Sequence, residues 1–183
     1  PLYSTETFVD LRESPVPRFE LLRGRGLKSY FLQVTRGCPH NCDFCAASKV
    51  FGTKYRHKDV SQVVEEIAAI QSICPEDYRG RLNINFADDN LLADRRFAEA
   101  FLKSITPMRI HWWTFSDVSV AEDTNLLDLI RESGCKFLYI GLESVNPDNL
   151  KGIDNRHWKH RKWSTYKSSV ERIQSHGVGV LGS

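Results

Sequence analysis

The sequence predicts an α/β fold built on a parallel sheet, and three observations carry that prediction. Short apolar segments alternate with amphipathic stretches along most of the 183 residues, the pattern of repeated βα units. The strand-like segments are apolar at successive positions, as strands buried on both faces are. Residues able to do chemistry gather just after these segments, where the ligand site of a parallel sheet lies.

The elements follow in order. Residues 1–29 read as a linker from an upstream domain, because "RESPVPRFELLRGRG" is punctuated by prolines and glycines. "YFLQV" (30–34) is the first strand. After the loop "TRGCPHNCDFC" comes the helix "DVSQVVEEIAAIQS", with Asp59 and Gln62 spaced as a capping box. Val60, Val63, Val64, Ile67 and Ile70 share one face of it. "RLNINF" (81–86) is the second strand, closed by "ADDN", and "DRRFAEAFLKSI" turns Phe97, Phe101, Leu102 and Ile105 inward.

"IHWWTFSD" is the third strand, and the helix "DTNLLDLIRESG" stops at Gly134. "KFLYIGLES" is the fourth strand, "STYKSSVERIQSHG" the fourth helix, and "VGVLGS" opens a fifth strand. A closed eight-unit barrel takes about 250 residues, and roughly four and a half units occur here. Both an arc of such a barrel and an open doubly wound sheet fit this pattern. The chain opens at Pro1, has Met108 as its sole methionine and ends within an apolar run, so the expectation is a fragment of a longer protein.

Composition excludes little. Twenty-five basic residues against 23 acidic ones leave a net charge of +2, which selects no partner. Apolar runs are too short for a membrane span, and the N-terminus has no signal-peptide pattern. Five cysteines, three of them clustered, do not make a secreted disulfide framework. A reducing cytoplasm is the expected setting, where clustered cysteines bind metal or do redox chemistry.

The cluster is Cys38-x3-Cys42-x2-Cys45. A structural zinc site takes four ligands, commonly from two separated pairs, and only His40 or His57 stands near enough in sequence to complete this set. An ordinary four-iron cluster also needs a fourth thiolate. Cys74 and Cys135 fall at the far ends of their units and read as small buried thiols. Three thiolates on a four-iron cube leave one iron open, the mark of a catalytic metal. A zinc-stabilised binding module and an electron-transfer cluster protein are the rival readings.

"TRGCPHNCDFC" resembles the signature loop of the radical SAM enzymes. That resemblance implies a [4Fe–4S] cluster held by Cys38, Cys42 and Cys45, with S-adenosylmethionine (SAM) on the open iron. It also implies reductive cleavage of SAM to a 5′-deoxyadenosyl radical. "RGCPHNCDFCAASKVFGTKYRHKDVSQVVEEI" is similar to the branch in which a cobalamin-binding domain precedes the radical domain. The resemblance implies that residues 30–183 are the N-terminal portion of a partial (β/α)6, TIM-like barrel. Cobalamin would come from the preceding domain, for methyl transfer by the full-length protein, and electrons from a reductase such as flavodoxin or ferredoxin.

By the same resemblance the SAM-binding residues are Phe44 beside the adenine, Asp88, Asp89 and Asn90 after strand two, and Glu143 after strand four. Ser116, next to Asp117 at the end of strand three, is a further candidate on the same rim. Arg36 and "KYRHK" (54–58) are candidates for offsetting the cluster's charge. "RHWKHRKW" (156–163) departs from the family's usual segment, and the resemblance passes a basic SAM-carboxylate ligand to no residue here. It reads as a lid or docking surface, with nucleic acid as a weaker alternative, since tryptophans among cations stack on bases. The substrate is unassigned.

Overall fold

The structure, a computed structural model, describes residues 7–74 and 82–183. Its sheet contains β1 (Ser29–Leu32), β4 (Asn83–Phe86), β5 (His111–Ser116), β6 (Cys135–Ile140) and β7 (Gly179–Gly182). They lie side by side in chain order, and every neighbouring pair is parallel. A doubly wound sheet would reverse direction at a switch point. Here each strand adds to the same edge, and right-handed crossovers then place the helices on one face, as in a barrel wall. The strand order therefore settles the alternative left open by the sequence.

The helices are α1 (Ala46–Phe51), α2 (Val60–Ile73), α3 (Arg95–Ile105), α4 (Thr124–Glu132), α5 (Trp158–Lys162) and α6 (Tyr166–Ser175). A two-stranded antiparallel ribbon joins β2 (Thr35–Arg36) to β3 (Arg56–His57), closing the segment that holds the cysteines. The first residue of the expected strand "RLNINF", Arg81, lies outside the described residues, as do residues 1–6 of the expected linker.

Alternate strand positions explain the core. Tyr30, Leu32, Ile84, Phe86, Trp112, Leu138 and Ile140 are buried together with Ile67, Ile70, Phe101, Leu102, Leu127 and Ile173 from the helices. The faces assigned to α2 and α3 are the ones that pack, with Ile73 and Ala98 joining them and Val60 and Val64 only half-buried. Burial of side chains as large as Phe101, with no exposed surface, supplies about 3–5 kcal/mol each against truncation to Ala.

The other face of the sheet is apolar in composition, as expected, but it is not closed among the described residues. Phe31, Trp113, Phe115, Phe137 and Tyr139 occupy it and remain half-buried or exposed. Trp113 stacks on Phe137 and Phe115 on Tyr139, with ring centroids 5.2 and 5.0 Å apart.

Local signals behave unevenly. Asp94 and Asp123 cap α3 and α4, accepting from the N–H groups of Phe97 and Leu126. Asp59 holds the cap position of α2 without a side-chain bond, and Gln62 instead reaches back to the carbonyls of Leu11 and Ser14. The expected capping box is therefore absent, and its glutamine ties the Leu11–Ser14 segment to α2. Gly134 has φ +95°, and a Cβ there would collide with the Ile110 carbonyl, so this turn accepts only glycine.

Candidate functional site

The carboxyl ends of the strands converge on a cavity of about 170 Å³. Cys38, Cys42, Cys45 and Phe44 reach it from the loop after β2, Asp89 and Asn90 from the turn after β4, and Ser116 and Asp117 from the end of β5. Gly141 and Glu143 enter from the end of β6, and Lys159 from α5. Of the residues expected from the sequence to hold the cluster or SAM, only Asp88 is absent from this lining.

The cysteine loop is held from several sides. Gly37 has φ +94°, and a Cβ on it would run into the Lys54 backbone, so glycine lets the loop turn against the β3 side of the ribbon. Its N–H donates to Asp89 Oδ2 at 3.2 Å. The Cys38 N–H donates to the Gly52 carbonyl and the Asp43 N–H to the Ile153 carbonyl. Asn41, at φ 49°, takes the left-handed turn between the first two cysteines.

All five cysteines are free. Burial raises the Cys38 thiol above its ordinary value, with the His40 N–H opposing, and pushes Cys42 up to about 11, with Lys159 opposing. Such thiols ionise when a cation arrives, which is what a metal centre supplies. Among the described residues no group of three or more His, Cys, Asp or Glu side chains is gathered so as to hold a single metal ion. Cys74 ends α2 and lies 3.7 Å from the Tyr30 hydroxyl, while Cys135 is buried at the start of β6, so neither reaches the cavity.

Asp88 stands outside this lining and binds the chain's own backbone. Its Oδ1 accepts from the N–H groups of Val34 and Thr35 and from the Thr35 hydroxyl, stitching the end of β1 and the start of β2 to the turn after β4. Burial raises its carboxyl to about 7 despite these bonds, and Oδ2 is buried without a partner. Asp89, also raised by burial, faces the cavity.

Asp117 is a heavily bonded acid of the rim. Its carboxylate accepts from His40 Nε2 at 2.8 Å, Asn90 Nδ2 at 2.7 Å and the Ser119 N–H at 2.8 Å. Burial alone would raise it, but these bonds more than offset that and hold it below the usual carboxylate range. His57 stacks on Phe97, outside the cavity lining.

Lys159 is the functional candidate that sequence reasoning missed. Its ammonium is buried, 3.1 Å from Glu143 Oε1 and 2.8 Å from the Gly141 carbonyl. Glu143 sits at φ 64°, a left-handed conformation costly for a glutamate, and its N–H donates to the Ser183 carbonyl at 2.7 Å.

The rest of "RHWKHRKW" divides its roles, with Arg156 and Arg161 exposed beside Trp158. Trp158 packs its ring 4.2 Å from His40, Lys162 pairs with Glu122, and Trp163 donates to the Val145 carbonyl. The cations near the loop do not face the cavity. Arg36 bonds Gln33 and lies over Phe51, Arg56 bonds the Val9 and Phe51 carbonyls, and Lys58 pairs with buried Glu66 at 2.5 Å. Their expected role in offsetting charge at the cavity is replaced by structural ones.

A family model described as "Radical SAM superfamily" matches residues 32–183. The chain is 25% identical over 149 residues to bacteriochlorophyllide d C-12(1)-methyltransferase of Chlorobaculum tepidum, covering 81% of this chain and 31% of that protein. It is 25% identical over 186 residues to hopanoid C-2 methylase of Rhodopseudomonas palustris, covering 98% and 34%. The chain thus spans about a third of the length of these curated relatives. A solved structure of the methyltransferase TsrM from Kitasatospora setae, with tryptophan substrate and a SAM analog bound, superposes with a TM-score of 0.72 at 21% identity. That match covers 93% of this chain and 33% of the other, and at this identity it shows the fold alone.

Proposed function

The chain belongs to the radical SAM superfamily, and on that premise we propose that its strand-end cavity is the site where a [4Fe–4S] cluster and SAM bind. The carrying observation is the convergence of three thiols with an acid–base pair, its lysine buried, on one cavity. Cys38, Cys42 and Cys45 would hold the cluster through thiolates. When bound, the cluster supplies the electron for reductive cleavage of SAM.

The chain's own residues account for the remainder. A methionyl end carries an ammonium and a carboxylate, and the Glu143–Lys159 pair presents the complementary charges side by side. Asp89 and Asn90 add polar contacts on the same wall. Ser116, on the cavity wall too, offers a hydroxyl. Phe44, 60% exposed, offers a ring face for the adenine. Asp88 takes no part in binding in this reading.

For the whole protein the reading is methyl transfer, supported by relatives named as methyltransferases and a methylase. A second Kitasatospora setae structure has cobalamin and a [4Fe–4S] cluster bound, and we extend cobalamin dependence to this protein on that basis. A reductase of the flavodoxin or ferredoxin type would deliver electrons, in a reducing cytoplasm. Among the described residues no helix is long and apolar enough to cross a membrane. The substrate would lie along the open aromatic face, which meets the cavity at Phe115.

Anaerobic reconstitution tests this. About four irons and four sulfides per chain are expected, with 5′-deoxyadenosine released weakly at most by this chain alone after reduction in the presence of SAM. One tightly held zinc and no iron would overturn it. A cluster whose spectrum ignores SAM would favour the electron-transfer reading.

A further inference from the structure

We propose that Asp117 is a positioning residue that holds the His40 imidazole out of the cluster's ligand set, keeping the fourth iron position open for SAM. The inference rests on the cluster reading above and adds a reason why the thiolate set stays incomplete.

His40 is well placed to interfere. It stands two residues from Cys38 and two from Cys42, and it lines the same cavity as all three cysteines. Imidazole is a common ligand for iron and replaces cysteine on some iron–sulfur centres. A free imidazole inside the cysteine loop would compete with SAM for the open iron at an effective concentration no diffusing ligand reaches.

The structure gives that ring another partner. Nε2 lies 2.8 Å from Asp117 Oδ2, and both side chains are about nine-tenths buried. The carboxylate is itself fixed, because Asn90 Nδ2 donates to the same oxygen and the Ser119 N–H to the other. Asp117 directly follows Ser116, the last residue of β5, in the middle of the sheet. The rigid member of the pair is therefore the acid, and the loop histidine is docked on it.

Two further contacts limit the ring. Trp158 lies against it, with centroids 4.2 Å apart and planes at 42°. Asn155 holds the loop backbone, donating from its N–H to the His40 carbonyl at 2.8 Å and from Nδ2 to the Pro39 carbonyl at 3.1 Å. Removing the Asp117 carboxylate would leave Nε2 without its acceptor while the loop stays anchored, in the cavity that the three cysteines also line.

The test uses the reconstituted protein, with SAM as the probe. Before SAM is added, the reduced cluster of Asp117→Ala is expected to show a directly bound nitrogen in pulsed electron paramagnetic resonance, absent in the SAM-free parent. SAM affinity by calorimetry is expected to fall at least roughly tenfold. Adding His40→Ala should abolish the nitrogen signal and return affinity to within about threefold of the parent. Asp117→Asn keeps one acceptor oxygen for Nε2 while giving up the one that takes the Ser119 N–H, so it should still show no bound nitrogen.

Where Asp117→Ala does not fold, Asp117→Ser carries the same expectation, being too short to hold Nε2. A bound nitrogen in the SAM-free parent, no nitrogen in the variant, or a double variant as weak as the single one would each overturn the inference. A parent chain that takes up zinc and no iron would instead overturn the cluster reading itself, and that result is visible before any variant is made.

Discussion

Lys159 Nζ sits 3.1 Å from Glu143 Oε1 and 2.8 Å from the Gly141 carbonyl, so a cation from a basic segment and an acid beyond a strand end neutralise each other at the cavity wall. Truncating Glu143 strands the buried Lys159 ammonium, whereas removing Lys159 leaves Glu143 and the Gly141 carbonyl without their cation. Lys159→Met is expected to cost about 1–3 kcal/mol of stability and to weaken SAM binding at least roughly tenfold. Urea unfolding and calorimetry on the reconstituted protein read the two effects. Unchanged SAM affinity in a stable Lys159→Met protein would remove Lys159 from the site.

Gly141 makes space for that pair. A Cβ there would lie 2.6 Å from Glu143 Oε1 and 3.1 Å from Lys159 Nζ. Both are ends of flexible side chains, so the backbone can stay in place while the pair moves. Gly141→Ala should therefore melt within about 2 °C of the parent yet bind SAM several-fold more weakly. A large loss of melting temperature would mean that the glycine serves the fold instead.

The cysteines divide into two groups with opposite expectations. Ser at Cys38, Cys42 or Cys45 should each reduce iron retained after anaerobic desalting to a small fraction of the parent value. Ala at Cys74 or Cys135 should leave iron content unchanged, since neither thiol lines the cavity. Cys135 is almost completely buried, so Cys135→Ala should still lower stability, by about 1 kcal/mol for the small volume lost. Iron loss in a folded Cys74→Ala or Cys135→Ala protein would contradict the assignment.

Asp88 makes a pH-dependent contribution of unusual sign. Its carboxyl is raised from 3.8 to about 7, chiefly by burial. Between those values the folded chain holds a proton that the unfolded chain has released. Stability from this residue is therefore greatest at the acid end and falls as pH rises, by at most about 1.4 kcal/mol per pH unit. Asp88→Asn keeps an oxygen for the Val34 and Thr35 donors and cannot ionise, so its unfolding free energy should vary less over that window. Parallel curves for parent and variant from pH 4 to 7 would show that Asp88 does not titrate there.

How much of this was legible in the sequence depended on whether the signal was local. The order of strands and helices and the rim location of Asp89, Asn90, Ser116 and Glu143 followed from periodicity and from the rule that parallel sheets bind at their carboxyl ends. Lys159 was not legible, because nothing in "RHWKHRKW" says that its second cation turns inward while Lys162 pairs outside with Glu122. Asp88 and Asp89 are adjacent and chemically identical. Only the position of the Thr35 N–H and hydroxyl decides that the first is buried scaffold and the second faces the cavity. Gln62 illustrates the same limit, since its bonds go to residues about 50 positions away.

The two faces of the sheet should respond oppositely to truncation. Phe86 and Trp112 face the helices with at most 1% exposure, whereas Phe115 is 44% exposed on the opposite face. Phe86→Ala should cost about 3–5 kcal/mol, because it empties a closed core. Phe115→Ala removes a ring that has solvent on one side, and about 1 kcal/mol is expected from its lost contacts with Tyr139 and Trp113. If the open face is where substrate lies, that small change in stability should accompany a large loss of affinity for a flat apolar probe such as a porphyrin. Titration of the probe against parent and Phe115→Ala protein measures this directly. Equal affinities would mean that the aromatic face serves packing alone, and a stability loss matching that of Phe86→Ala would mean that the face is closed in solution.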